Sequence, residues 1–187
     1  MKVTDKLRQS MRNLLQEARD EVGLVMRFDE DDTTIQTIWS EGYVDVPGVD
    51  QSSLKRIEAE RIDLKKSGFQ TSDSQPELGG HAEEIMIRRW AFYEKEYGRQ
   101  PKLVDIVLTH SPCWDVSGIL KIDNSQWPAG CGPKLYRLVT ERNYVSKWQI
   151  AYFKYYGTAK SADAAKQSIQ KLEGHPRVAT YFFHTIP

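Results

Sequence analysis

Between residues 5 and 21, Leu7, Met11, Leu14, Leu15 and Ala18 recur at spacings of three and four among charged residues, which predicts an amphipathic helix ended by Gly23. The period then changes. Leu24–Phe28 reads as a short strand, Asp29-Glu30-Asp31-Asp32 as a solvated acidic turn, and the alternating, β-branched run Thr33–Trp39 as a second strand paired with the first in a hairpin. Further on, Ser53–Ile62 fits a helix capped by Ser52 or Ser53, and residues 68–80, rich in Ser, Thr, Asp, Pro and Gly, read as a loop. Gly79-Gly80 would either let the backbone approach a site or serve as a plain connector.

From residue 81 to 97 the positions Ala82, Ile85, Met86, Trp90 and Tyr93 predict one helix with one buried face, closed by Gly98. Leu103–Leu108 is nearly continuous in apolar residues and predicts a central strand buried on both faces. Residues 114–130 carry Trp114, Ile119, Leu120, Ile122 and Trp127, too apolar for a disordered stretch, and are expected to fold back over the domain. Pro133 suits the first turn of a helix running to about residue 143 with Leu135, Leu138 and Val139 inward. A strand at 147–153, a helix from a Ser161 cap to Leu172, stopped by Gly174 and Pro176, and a last strand at 177–183 complete the pattern. With the helix at 53–62 set aside, the α-β-β-α-β-α-β-α-β order predicts an α/β fold with a five-stranded mixed sheet in α-β-α layers. Helical crossovers make its last two strands parallel.

Composition narrows this only a little. A chain of 187 residues with 40% hydrophobic content can bury a full core and is expected to form a single domain, 1–187. No apolar run approaches the roughly 18 to 20 residues that span a bilayer, so no membrane association is expected. The charged start, Met1-Lys2-Val3-Thr4-Asp5-Lys6, lacks a signal-peptide apolar core, which makes a reducing, cytoplasmic site of action the expectation, with delivery as part of a larger secreted protein left open. Net charge is zero, yet residues 1–80 carry 11 Lys and Arg against 16 Asp and Glu, whereas residues 81–187 carry 15 against 10. An excess of positive charge in the second half is what a polyanionic partner would favour, although ordinary scatter would give the same numbers.

The candidate chemistry lies in that second half. Two cysteines make no disulfide framework, and two buried free thiols are the plain alternative to any site. Their settings point elsewhere. Pro112-Cys113 follows a predicted strand and Gly130-Cys131-Gly132-Pro133 precedes a predicted helix, both tight turns where a thiolate can be presented beside a helix N-terminus. With His81 they supply three tetrahedral ligands for Zn2+ and leave the fourth position open, the arrangement of a catalytic zinc. Glu83, two residues past His81 on the first helical turn, is placed to move protons rather than to bind metal. His110 is an alternative third ligand, although a strand continuing to Ser111 would point its side chain the opposite way.

His81-Ala82-Glu83 followed by Thr109-His110-Ser111-Pro112-Cys113 resembles the H-x-E…P-C signature of the zinc-dependent cytidine deaminase superfamily over residues 75–187, and the serine before Pro-Cys looks most like its AID/APOBEC-like and bacterial toxin-type polynucleotide branches. One departure stands out: that family spaces its cysteines P-C-x-x-C, whereas seventeen residues, Trp114 to Gly130, separate Cys113 from Cys131 here, which against the resemblance reads as an insertion, 114–130, before the second ligand. The resemblance implies a cytidine deaminase-like fold and hydrolytic deamination of cytosine to uracil in nucleic acid, single-stranded DNA first and RNA second, with Glu83 shuttling the protons. It also implies that Tyr155 and Tyr156 follow the fourth strand where a loop meets the neighbouring base, that His110 and Ser111 border the target base, and, for a toxin domain, that an immunity protein exists. A monomer is expected. Arg88, Arg89, Lys154 and Lys160 are the candidate backbone contacts, against the ordinary alternative of solvated surface cations. The competing functions are deamination of a free nucleoside, nucleotide or tRNA adenosine, and a non-catalytic module that zinc merely stabilises.

Overall fold

A computed structural model describes residues 1–17, 22–39, 81–113, 119–122, 125–128, 130–156 and 162–187. The elements are α1 (Asp5–Glu17), β1 (Gly23–Phe28), β2 (Asp31–Trp39), α2 (Ala82–Arg88), α3 (Trp90–Tyr97), β3 (Leu103–His110), β4 (Ile119–Ile122), β5 (Ser125–Pro128), α4 (Cys131–Glu141), β6 (Lys147–Lys154), α5 (Ala162–Glu173) and β7 (Val178–Phe182). Five strands form one sheet in the order β2-β1-β3-β6-β7, and β4 and β5 pair separately. β1 runs antiparallel to β2 and β3, while β3, β6 and β7 are parallel, so the sheet is mixed and its last two strands are parallel, as the pattern predicts.

Period-two alternation sorts the sheet's side chains into two cores. Leu24, Met26 and Phe28 of β1, Val104, Ile106 and Leu108 of β3, and Trp148, Ile150 and Tyr152 of β6 share a cluster with residues from α2, α3, α4 and α5. On the opposite face Val25, Val107, Ala151 and Phe153 pack with Leu7, Met11 and Leu14 of α1. Both faces of the sheet are therefore covered. This explains why β3 is buried from Val104 to Thr109 and why its sequence reads as one apolar run. Gly23 lets α1 lie this close: a Cβ there would come within 2.7 Å of the Trp39 ring and 2.8 Å of Leu14 Cδ1.

One buried ion pair interrupts the α1 face. Arg27, with no exposed surface, donates from Nε and Nη2 to Asp105 Oδ2 at 3.0 and 2.6 Å, and also reaches Asp32 at 2.9 Å and the Lys2 carbonyl at 2.7 Å. Asp105 is the residue that keeps the β3 run from being wholly apolar, and its carboxylate ties β3 to β1.

Several expectations need correction. The helix expected over 81–97 is two helices, broken at Arg89 (φ −97°, ψ 3°). α2 is buried from Ala82 to Ile87, and the break allows α3 to turn Trp90 inward, where its ring lies 5.4 Å from those of both Phe28 and Trp148. The acidic turn is not simply solvated. Asp29 and Glu30 take positive φ at the hairpin, Asp29 accepts the backbone N–H groups of Lys102 and Leu103 at 2.7 Å, and Asp32 is bound to Arg27. β2 accordingly starts at Asp31 rather than Thr33. Within 114–130 the described residues form a hairpin that buries Ile122 and Trp127 in the main core, with Arg137 of α4 lying 4.2 Å over the Trp127 ring. The helix expected at 53–62, its cap, the loop at 68–80, Ala18, Trp114, Lys160 and Ser161 lie outside the described residues.

Replacing Asp105 with Ala leaves the Arg27 charge buried and without its main counterion, and is expected to lower unfolding stability by about 3–5 kcal/mol, read from the shift in a urea transition.

Candidate metal centre

Three elements bring the site together at the carboxyl end of β3. His81 is the N-cap of α2, its carbonyl accepting the first helical N–H, from Ile85, at 3.1 Å. Cys131 is the first residue of α4, after Gly130 as N-cap. Cys113 follows β3 in irregular chain, where Ser111 N–H donates to the Lys154 carbonyl at 2.7 Å and Ser111 Oγ accepts the Tyr156 N–H at 2.9 Å. The excursion between the two cysteines closes on itself, for Gly132 N–H donates to the Cys113 carbonyl at 2.8 Å and Cys131 N–H points at Cys113 Sγ at 3.3 Å.

The ligand atoms of His81, Cys113 and Cys131 all lie within 4.8 Å of one another, and all three residues are buried. His81 Nδ1 is 3.1 Å from Cys131 Sγ and 3.8 Å from Cys113 Sγ. Around a tetrahedral zinc, nitrogen and sulfur ligands sit about 3.5–3.8 Å apart, so small adjustments fit the ion to this set. The cysteines are free thiols. A hydrogen bond with Cys131, reinforced by His81, brings the Cys113 thiol down to about 4, and burial raises Cys131, so the pair shares one negative charge. Burial opposes protonation of His81, but the Cys113 hydrogen bond and the Glu83 charge outweigh it and leave its pKa raised. One imidazole and two sulfurs, one of them already a thiolate beside the N-terminus of α4, make a donor set suited to zinc.

Glu83 is buried, and its Oε2 has no hydrogen-bond partner among the described residues. Burial pushes its pKa up, with the His81 charge working against that. A carboxyl group raised in this way and left with an unused oxygen beside a candidate metal is equipped to take up and release a proton.

The remaining candidates divide. The Tyr156 ring packs against the two cysteines, 5.9 Å from the His81 ring. Tyr155 packs against the main core and stacks on Phe182 at 5.4 Å and 21°. Ser111 is buried and uses its hydroxyl on the Tyr156 backbone. His110, half-buried at the end of β3 with Nδ1 3.1 Å from Thr109 Oγ1, is not among the converging ligands. Arg88 is not an open phosphate contact: its guanidinium, 8% exposed, donates to Glu84 at 2.8 and 3.1 Å. Arg89 lies over the rings of Phe92 and Tyr93 in a separate cleft of about 580 Å³ between β2 and α3. Lys154 is exposed, next to the Tyr155-Tyr156 pair.

Two charged residues that the motif reading passed over are fully buried here: Glu84 and Lys134, paired at 3.3 Å. The readable signal was spacing, since each stands three residues after a candidate ligand and so shares its helix face.

No protein-family model matches the chain, and no curated protein matches it. Among solved structures the chain is similar to a dCMP deaminase from the cyanophage S-TIM5 in apo form, at 12% identity and a TM-score of 0.40, over 97% of this chain and 100% of that one. No helix of the described residues is long and apolar enough to cross a membrane.

Chain purified in the presence of zinc is expected to carry a single zinc ion after dialysis, with both Cys113→Ala and Cys131→Ala losing most of it by elemental analysis. Full metal content in Cys131→Ala would remove that residue from the ligand set.

Proposed function

We propose that this chain is a zinc-dependent hydrolytic deaminase that converts cytosine to uracil within a polynucleotide, single-stranded DNA being the favoured substrate. The observation that carries the proposal is the convergence of His81, Cys113 and Cys131 within 4.8 Å beside a buried carboxyl group with an unpartnered oxygen. Bound there, zinc would act as a Lewis acid that brings the pKa of a water near 7. His81 and the two cysteines would hold it. Glu83 takes a proton from the attacking water, delivers it to N3 of the base, and passes a second proton to the departing amino group, so that cytosine and water become uracil and ammonia. Tyr156, packed on the ligands, excludes water from one side of the cluster.

A chain of rings supports a substrate longer than one nucleotide. β3, β6 and β7 are parallel, so their carboxyl ends lie on the side where Cys113 stands, the usual place for a ligand in such sheets. Tyr156 lies beside His81, its neighbour in sequence Tyr155 stacks on Phe182, and His184 meets Phe182 edge-on at 4.6 Å. Phe182 is 38% exposed on the edge strand β7, so its ring is open to solvent. Lys166 Nζ lies 5.9 Å from the Tyr155 ring, and Lys154 is exposed nearby. Rings flanked by ammonium groups suit bases on a phosphate backbone, each stacked base contributing about 1–3 kcal/mol.

Uracil formation is to be measured on cytosine-containing single-stranded oligodeoxynucleotides, oligoribonucleotides and dCMP with zinc-loaded protein. Turnover of the DNA oligomer is the expected result; turnover of dCMP alone would replace this reading with a free-nucleotide enzyme, and zinc binding with no turnover of any substrate would leave a stabilised binding module. Glu83→Gln is expected to keep its zinc and lose about 100- to 10,000-fold in kcat. Phe182→Ala is expected to raise KM for the oligonucleotide by about 5- to 150-fold with little change in kcat.

A further inference from the structure

Glu84 and Lys134 have no exposed surface, and Glu84 binds two cations: Lys134 Nζ at 3.3 Å through Oε2, and Arg88 through Oε1 at 2.8 and 3.1 Å. Their positions follow those of the ligands. Glu84 is three residues beyond His81 on α2, and Lys134 is three residues beyond Cys131 on α4. At 1.5 Å of rise per residue the ion pair therefore lies about 4.5 Å farther along each helix, repeating one step behind the metal cluster the juxtaposition that His81 and Cys131 make at 3.1 Å.

Elsewhere the buried surfaces of these two helices are apolar, with Ile85, Met86 and Ile87 on α2 and Leu135, Leu138 and Val139 on α4. Apolar surfaces tolerate sliding, whereas a buried charge pair accepts one register, because any other leaves charge without its partner. Charge was placed only at the turn next to the ligands. The sulfurs also act on Lys134: burial alone would lower its pKa, but Glu84 and then Cys131 and Cys113 reverse the shift.

We propose that Glu84, Lys134 and Arg88 form a positioning clamp for the metal centre, an ion-pair cluster that locks the first turns of α2 and α4 at the separation and register His81 and Cys131 need to share one ion. This rests on the zinc reading above and adds residues to it. Such outer partners typically govern metal affinity by about 10- to 100-fold.

The test uses the full chain with Lys134→Met, Lys134→Arg, Glu84→Gln and the double variant Glu84→Gln/Lys134→Met. Zinc affinity is read by competition with a chromophoric chelator, and ligand geometry by the visible spectrum of the cobalt-substituted protein. Lys134→Met and Glu84→Gln are expected to bind zinc about 10- to 100-fold more weakly and to show altered cobalt bands, with Lys134→Arg restoring most of both. The double variant removes both charges of the Glu84–Lys134 pair together, Arg88 alone losing its Glu84 contacts, so it decides the matter where a single variant fails to fold: it too should show weakened affinity and altered bands. Variants that match the unaltered chain in both readouts would overturn the clamp while leaving the metal site standing. An unaltered chain that takes up neither zinc nor cobalt would overturn the zinc reading itself, and the clamp with it.

Discussion

Everything at the candidate centre depends on a short set of backbone contacts between the chain after β3 and the first turn of α4. Gly132 N–H meets the Cys113 carbonyl at 2.8 Å and Cys131 N–H faces the Cys113 sulfur at 3.3 Å. Without them two cysteines eighteen positions apart would have no reason to meet, and loop closure over that length works against it. The hairpin β4–β5 reduces the cost. Its Trp127 and Ile122 are buried in the main core and Arg137 of α4 covers the Trp127 ring, so the insertion is anchored by its own apolar surface and returns Cys131 to a defined place. A compact P-C-x-x-C turn brings its two sulfurs together by local geometry, and here tertiary packing serves that purpose.

The same end of the sheet gathers the remaining parts because parallel strands put their carboxyl ends on one side. Ser111 illustrates the coupling: its N–H holds the end of β6 and its hydroxyl holds the residue after it but one, Tyr156, whose ring then covers the cysteines. Ser111 thus ties adjacent strands together through their backbone.

Much of the fold was legible in the pattern of apolar residues. Alternation marked β2, short apolar and aromatic runs marked β1, β6 and β7, the nearly continuous run marked β3 as covered on both faces, and Pro133 and Gly98 marked helix ends. His81, Cys113 and Cys131 were legible as residue types in turn settings, and their convergence is a fact of three dimensions that spacing alone did not supply. The break at Arg89 was hidden because Trp90 and Tyr93 continue the helical spacing of Ile85 and Met86; what separates the two helices is where Trp90 finds its aromatic partners. Arg88 read as a phosphate contact or a solvated cation, since a basic residue on a helix ordinarily faces water, and Lys134 drew no reading; the buried Glu84 between them is what holds both. Asp29 misled in the same way: its carboxylate is taken by backbone N–H groups that arrive from seventy residues away.

Glu83 and Glu84 show how one turn of helix separates two identical side chains by what surrounds them. Both are buried. Glu84 has each oxygen on a cation and so contributes fixed negative charge and helix register. Glu83 has one oxygen unpartnered among the described residues, and burial raises its pKa against the opposing His81 charge. An exposed glutamate would remain ionised and hydrated, and one tied up like Glu84 would have no oxygen to spare for a substrate. The chemistry proposed for this chain needs a carboxyl that is neither, and Glu83 is placed among its neighbours to be that group.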